Sequence, residues 1–234
     1  MSLLTIAQSA ARRVGIGRPA LVAAASDDLT LQLFDLAQEG VEEIGKRHGW
    51  RQTRMPTTFV TVAAQVQPSA LPADYDRMAP GQTFWNQSQR LPVVGPASAE
   101  DWARITALAL VSGPNLVYRL AGTGLMLYPA PAAGQTIAFE YVSMNRVRAA
   151  DGTAKPTFTA DTDTVLFPEH LVTKDLVWRW KAAKGLDYAE DMATFERAFE
   201  REAAADRGEI EVTTASGGLD MLPDTFWPGT ISVV

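Results

Sequence analysis

The sequence contains no cysteine among its 234 residues. That single absence excludes disulfide frameworks, thiolate zinc sites and cysteine nucleophiles. Histidine is almost as scarce. His48 and His170 are the only two, far apart in sequence, and neither has a partner at a metal-pair spacing. One falls at the end of a predicted helix and the other in the first turn of another, so both read as surface or packing residues. No apolar run approaches the ~18 residues of a membrane span. The opening stretch MSLLTIAQSAARRVGI places its arginines after the apolar residues, the reverse of a secretory signal. The tripeptide NQS at 86–88, formally a glycosylation acceptor, therefore reads as a polar turn. An excess of positive charge is missing too. The net charge of -6 argues against a tight nucleic-acid grip, which needs a clustered basic surface. P-loop, GxSxG and HExxH patterns are also absent.

What is present is an ordinary globular composition, 47% hydrophobic and 21% charged, on a chain long enough to bury a sizeable core without staples. The first fifty residues predict two helices. TIAQ at 5–8 fits a capping box, with Thr5 as cap and Gln8 reaching back, and Gly15 can end that helix. Ser26, Asp27 and Asp28 suit the start of a second helix. Its apolar stripe is Leu29, Leu33, Leu36, Gly40 and Ile44, and Lys46, Arg47 and His48 fall in its last turn. From 55 to about 164 the texture turns β-rich. Strands are predicted at 57–62, in a hairpin over 82–94, on either side of AGTG within 115–131, and over 135–144, where Ile137, Phe139 and Tyr141 share one face. A short helix over 98–110 is capped by Ser98, and 148–164 is a polar loop. Helical spacing returns over 168–184, with Val172, Leu176 and Trp180 on one side and Gly185 as its stop. A further helix follows over 187–207, with Tyr188, Met192, Phe195 and Phe199 as its stripe. Beyond it, 208–234 lacks helical or tight strand patterning, yet carries Leu219, Met221, Leu222, Phe226, Trp227, Ile231 and Val233. Burying Phe226 and Trp227 alone is worth a few kcal/mol at ~25 cal/mol per Å², so this segment is expected to dock on something.

The candidate chemistry is thin. Asp161 and Asp163, with Asp151 upstream, could bind a cation or divide acid and base roles. With His170 they make the one enzyme reading worth testing, a hydrolase or lyase. Their spacing does not fit a calcium loop, and Asp163 is more simply a cap for the helix that follows. GIGRPA at 15–20 follows a predicted helix instead of a strand, which argues against a dinucleotide loop. Trp50, Trp85, Trp178 and Trp180 read as core or interface anchors, since no basic groove lies beside them in sequence. On the charged face of 187–207, Glu196, Arg197, Glu200 and Arg201 stand at helical spacings. They read either as a solvated face or as a subunit seam in which opposed charges fix register. No catalytic residue, cofactor or metal is assigned.

The order of AARRVGI, RHGW, LPADYDRM, YPAPAAGQTIAFEYVSMNRV and WRWKAAKGLDYAEDMATFERA resembles the head-to-tail adaptor proteins of tailed bacteriophages, the neck or head completion proteins that include tail tubular protein A. The resemblance covers roughly 1–205. It implies an α+β fold: a helical bundle formed by both chain ends (1–54 and 165–207), a β-rich insertion (55–164) and an extended C-terminal arm (208–234). It also implies a structural virion protein made in the host cytoplasm and placed in the neck. Such proteins form a ring, commonly twelve-fold, below the portal, which extends the DNA channel used in genome ejection and carries the next neck or tail protein. By that analogy the arm residues Leu219, Met221, Leu222, Phe226, Trp227 and Ile231 dock on the portal. An acidic subunit suits a lumen through which DNA passes without sequence-specific binding. A tail terminator or other tail collar subunit is the alternative placement.

Overall fold

The computed structural model describes residues 2–108, 115–122 and 124–207. Its elements run α1 (Leu3–Val14), α2 (Asp28–Arg47), a 3-10 turn (Arg51–Thr53), β1 (Arg54–Val60), β2 (Val66–Gln67), β3 (Tyr75–Met78), β4 (Trp85–Asn86) and β5 (Leu91–Pro92). There follow α3 (Ala99–Ala107), β6 (Val117–Ala121), β7 (Gly124–Tyr128), β8 (Thr136–Ser143), β9 (Val147–Arg148), β10 (Ala154–Lys155), β11 (Thr164–Val165), α4 (Glu169–Ala183) and α5 (Ala189–Arg207). The fold is α+β, with helices at both ends of the described chain and antiparallel strands between them.

Local chemistry sets most helix ends. Asp27 caps α2 by accepting the Thr30 backbone N–H at 3.0 Å, and the Ser98 hydroxyl accepts that of Asp101 at the start of α3. Gly15 ends α1 in the left-handed region at φ 75°. The capping box expected at Thr5 and Gln8 does not form. α1 begins three residues earlier, with Ser2 at the cap position, because Leu3 and Leu4 donate their backbone N–H groups to the carbonyls of Asp163 and Asp161. Thr5 donates its hydroxyl to the Ser2 carbonyl, and Gln8 turns to Pro19 and Arg18. On α2 the buried face is Thr30, Leu33, Ala37, Gly40, Val41 and Ile44, with Leu29 exposed and Leu36 half-buried. The true stripe therefore sits slightly around the helix from the expected one.

α4 packs against α1, α2 and α5. Leu171, Val172, Leu176, Val177 and Trp180 are buried around most of its circumference, as expected of a helix at the centre of a bundle. Trp50 wedges in at the end of α2, fully buried. Its ring stacks on Phe167 and meets Phe199 edge-on, and its indole N–H reaches the Ile44 carbonyl. Three residues from the expected polar loop and its borders, Val147, Phe158 and Val165, join this helical core. Short strands β9, β10 and β11 carry two of them into place, and an isolated bridge joins Thr164 to Ser2.

The second core is built by strands. β8 is central and pairs antiparallel with β1, β3 and β4, while β4 also pairs β5. The register sets Met55, Thr57 and Phe59 of β1 opposite Tyr141, Phe139 and Ile137, one face of the alternation read from the sequence. The sheet β2-β7-β6 closes over this face, so Phe84, Tyr118, Leu125 and Leu127 complete the cluster. The Tyr141 hydroxyl donates to Asp74 at 2.8 Å, and burial together with that carboxylate pushes Tyr141 up to about 12.

Candidate assembly interface

The helical core is held by charges inside it. Asp175 on α4 is almost fully buried, with one carboxylate oxygen accepting from Arg179 at 2.7 Å and the other from the Trp178 indole at 3.0 Å. Burial pushes the Asp175 carboxyl up to about 6, against the downward pull of Arg179 and Trp178. Arg179 continues outward to Glu39 and Glu43 on α2, each at 2.9 Å. α2 admits this cluster because residue 40 is glycine: a Cβ there would lie 2.1 Å from the Asp175 carboxylate. Five residues along α2, Gly45 makes the same kind of notch for Arg146, whose Nε would be 2.3 Å from an added Cβ. Arg146 pairs with Asp76 at 3.4 Å, and Arg77 donates to the Gly45 carbonyl at 3.1 Å. The strands are thus clamped to α2 at a second point. Of these residues only Gly40 and Trp178 stood out in the sequence, Gly40 as a member of the apolar stripe and Trp178 as a core or interface anchor. The available signals were the Asp175/Arg179 spacing of four on an otherwise apolar helix and two glycines inside α2.

The expected seam residues do not all point the same way. Glu196 turns inward and holds Arg47 of α2 with two hydrogen bonds, of 2.8 and 2.5 Å. Arg47 holds the Glu196 carboxyl below the usual range, and its own guanidinium lies over the Phe199 ring at 4.2 Å. Arg197, Glu200 and Arg201 are exposed on α5. Arg197 reaches Glu190 at 3.3 Å and Arg201 reaches Glu202 at 3.5 Å. The upper half of the expected α5 stripe is also outside: Tyr188 and Met192 are exposed beside Leu186, while Phe195 and Phe199 are buried. The six arm residues Leu219, Met221, Leu222, Phe226, Trp227 and Ile231 lie outside the described residues.

The residues of the enzyme reading are occupied structurally. Asp161 accepts the backbone N–H groups of Val22 and Ala23 at 3.0 and 2.7 Å. One oxygen of Asp163 accepts from Lys155 and from the N–H groups of Thr159 and Ala160, all within 2.8 Å. Burial alone would raise the Asp163 carboxyl, but these donors hold it below its ordinary value. Asp163 therefore closes its own turn and does not cap α4, whose N-cap position is held by Pro168. His170 is the exception: its Nε2 lies 3.4 Å from a Glu202 carboxylate oxygen of α5 but makes no hydrogen bond. His48 pairs with Asp206 at 2.9 Å. Asn86, the formal glycosylation residue, is buried and donates to Gln135. Among the described residues no group of three histidines or acids is placed to hold a metal ion, and no helix is long and apolar enough to cross a membrane.

Apolar surface remains on the outside of the first sheet. The register puts Pro56, Thr58 and Val60 of β1, Ala138 of β8 and Trp85 of β4 on the face opposite the aromatic core. Val60 and Trp85 are exposed there, and a shallow groove runs between Pro56, Thr58, Trp85, Ala138 and Glu140. This face and the Leu186–Tyr188–Met192 corner are separate patches belonging to different cores.

The family model described as SU10 adaptor protein matches residues 1–220. The chain belongs to that family and is a phage structural adaptor, a virion component that meets other phage head and tail proteins. The match takes in Leu219 and stops short of Met221, Leu222, Phe226, Trp227 and Ile231. No curated protein matches the chain in sequence.

Proposed function

We propose that the chain is one subunit of a ring that sits below the portal, joins head to tail and extends the DNA channel. In this reading 1–54 and 165–207 form the helical body, 55–164 the insertion and 208–234 the arm that reaches the portal. The observation that carries it is the pairing of candidate acids committed within the subunit with unsatisfied surface. The candidate acids are committed to backbone and lysine partners, while apolar side chains stand exposed on two unrelated patches. A closed ring needs two such unlike patches, because each subunit presents one surface to the neighbour before it and another to the neighbour after it. Arg197, Glu200 and Arg201 would set register at that seam, and a subunit of net charge -6 repeated around a lumen repels the DNA backbone. The subunit does no chemistry in this reading; it is made in the host cytoplasm and works in the virion neck.

The test mixes the purified chain with its portal and images the product by electron microscopy. A ring seated on the portal is expected, and Phe226→Ser with Trp227→Ser should abolish it while leaving helicity unchanged. A ring that forms on tail tubes and ignores the portal would move the subunit to a tail terminator or collar position. Turnover of an ester or glycoside that is lost in Asp163→Ala, with ring formation intact, would overturn the structural reading.

A further inference from the structure

The groove on the outer face of the first sheet contains an uncommitted charge. Pro56, Thr58, Trp85 and Ala138 line it with small or apolar side chains, and Glu140 of β8 lines it with them. Glu140 is half-buried, and its carboxylate has no cation or hydrogen-bond partner among the described residues. Whatever covers this groove strips water from that carboxylate, which is costly unless the occupant brings a cation. Gln82 and Gln87 at the groove offer amide groups to a polar atom of the same occupant.

The exposed apolar side chains elsewhere on the molecule differ in the charges beside them. Leu29 and Leu31 are exposed on α2 between Asp28 and Asp35, acids that Glu140 would repel. The corner between α4 and α5 is the opposite case. Leu186, Tyr188 and Met192 are exposed there. Lys184, at the end of α4, is exposed too, and its ammonium meets only the Trp180 ring, 5.8 Å from the centroid. The acids of the corner are turned to partners of their own. Asp187 accepts the Ala189 backbone N–H at 3.1 Å, Asp191 pairs with Lys181, and Glu190 reaches Arg197. The corner is also firmly held. Gly185 takes the left-handed conformation at φ 68°. Leu186 donates its backbone N–H to the Lys181 carbonyl at 2.9 Å, and the Tyr188 ring lies against Trp178 with centroids 6.2 Å apart. Such a preformed surface loses little freedom on docking.

We propose that the α4–α5 corner of one copy seats in the sheet groove of the next. Lys184 meets Glu140, Leu186 and Met192 cover Trp85 and Val60, and the Tyr188 hydroxyl reaches the glutamine amides. Within the ring reading, on which this assignment rests, the contact is heterologous: each copy gives its corner to one neighbour and its groove to the other. Both surfaces stand open on the same copy, so one contact can repeat around the ring.

The chain has no cysteine, so introduced thiols report the contact without background. The full-length chain carrying Thr58→Cys with Leu186→Cys is assembled on its portal and treated with a short bismaleimide. A ladder of covalent dimers, trimers and larger species is expected, and neither single-cysteine variant should cross-link. Charge reversal reads the same contact. Glu140→Lys and Lys184→Glu should each lower the yield of rings about tenfold, because like charges then face each other. The double variant should restore it, with the parent's urea midpoint in all three. Rings on the portal without the ladder, or at the parent's yield in Glu140→Lys, would overturn this seam and leave the ring reading standing. Failure of the double variant to recover would overturn the pairing of Lys184 with Glu140. A ladder from the chain alone, with no ring on the portal, would uphold the contact and sink the ring. Neither ring nor ladder would overturn both.

Discussion

Around α2 and α4 the interior holds Asp175, Arg179 and Arg146, whereas the space between the strand layers holds Phe59, Phe84, Tyr118 and Phe139 with uncharged Gln67 and Asn86. The two interiors differ in what fixes their geometry. Aromatic packing tolerates small shifts at modest cost, because dispersion is spread over many contacts. A buried carboxylate seated in a glycine notch does not: move α2 by an ångström and Asp175 either loses Arg179 or collides with the helix. Buried ion pairs add little net stability, since desolvation offsets attraction. Their contribution here is to position α2 against α4 and against the strands, a suitable property for a body on which, in the proposed ring, neighbouring subunits would register.

The comparison breaks most visibly with one deletion in each core. Arg179→Ala strands Asp175 without its cation and should cost about 3–5 kcal/mol. Phe84→Ala removes a fully buried ring and should cost a similar ~3–5 kcal/mol. Urea denaturation separates the two by pH. The Arg179→Ala cost should shrink between pH 8 and pH 5, where Asp175 can take a proton, and the Phe84→Ala cost should stay constant. Equal pH responses would show that the two cores do not differ as described.

A smaller effect comes from Asp175 itself. Its folded value of about 6 lies above the ordinary 3.8, so between about pH 4 and pH 7 the folded state binds the extra proton. Stability attributable to this group is then highest at low pH and falls as pH rises through its folded value. Measured against Asp175→Asn, which does not titrate, the parent should lose about 2–3 kcal/mol across that window. Asp163 and Glu196 act in the opposite sense. Both are held below their ordinary values, so their stabilisation is present at neutral pH and disappears in acid. That is why the variant pair is the clean measurement. A flat difference would mean that Asp175 stays ionised throughout.

The sheet core and several helix ends were legible in the sequence because their signals are local. The Ile137/Phe139/Tyr141 alternation, the Ser98 cap and the stops at Gly15 and Gly185 all lie within a few residues of what they specify. The short strands β9 to β11 were not legible: two-residue strands leave no periodicity, and Phe158 reads as a lone aromatic in a polar loop until Gln38 is seen to bond its backbone from α2. The charged network was hidden for a different reason. Arg179 meets Glu43 across 136 residues and Arg47 meets Glu196 across 149, so each partner looked like ordinary surface charge. Half of the expected α5 stripe failed similarly. Helical spacing puts Tyr188 and Met192 in line with Phe195, but only tertiary packing decides that α4 and α2 cover the lower part of that line.

Glu196 sharpens the comparison at its weakest end. It is half-exposed, and its bond to Arg47 is bidentate, so Glu196→Ala should cost about 1 kcal/mol or less. Part of that loss is cushioned, since Arg47 keeps its place over Phe199. The cost should fall further in high salt, which Arg179→Ala should resist because its charges are buried. Glu196 also divides the seam proposal. Being turned to Arg47 of its own chain, it should affect stability and not assembly. Reversing Arg197, Glu200 and Arg201, which face water, should do the converse: an unchanged urea midpoint, with ring formation on the portal impaired. If Glu196→Ala instead impaired the ring at full stability, the Arg47 pair would have to open on assembly, and the helical body would be less rigid than its buried charges require.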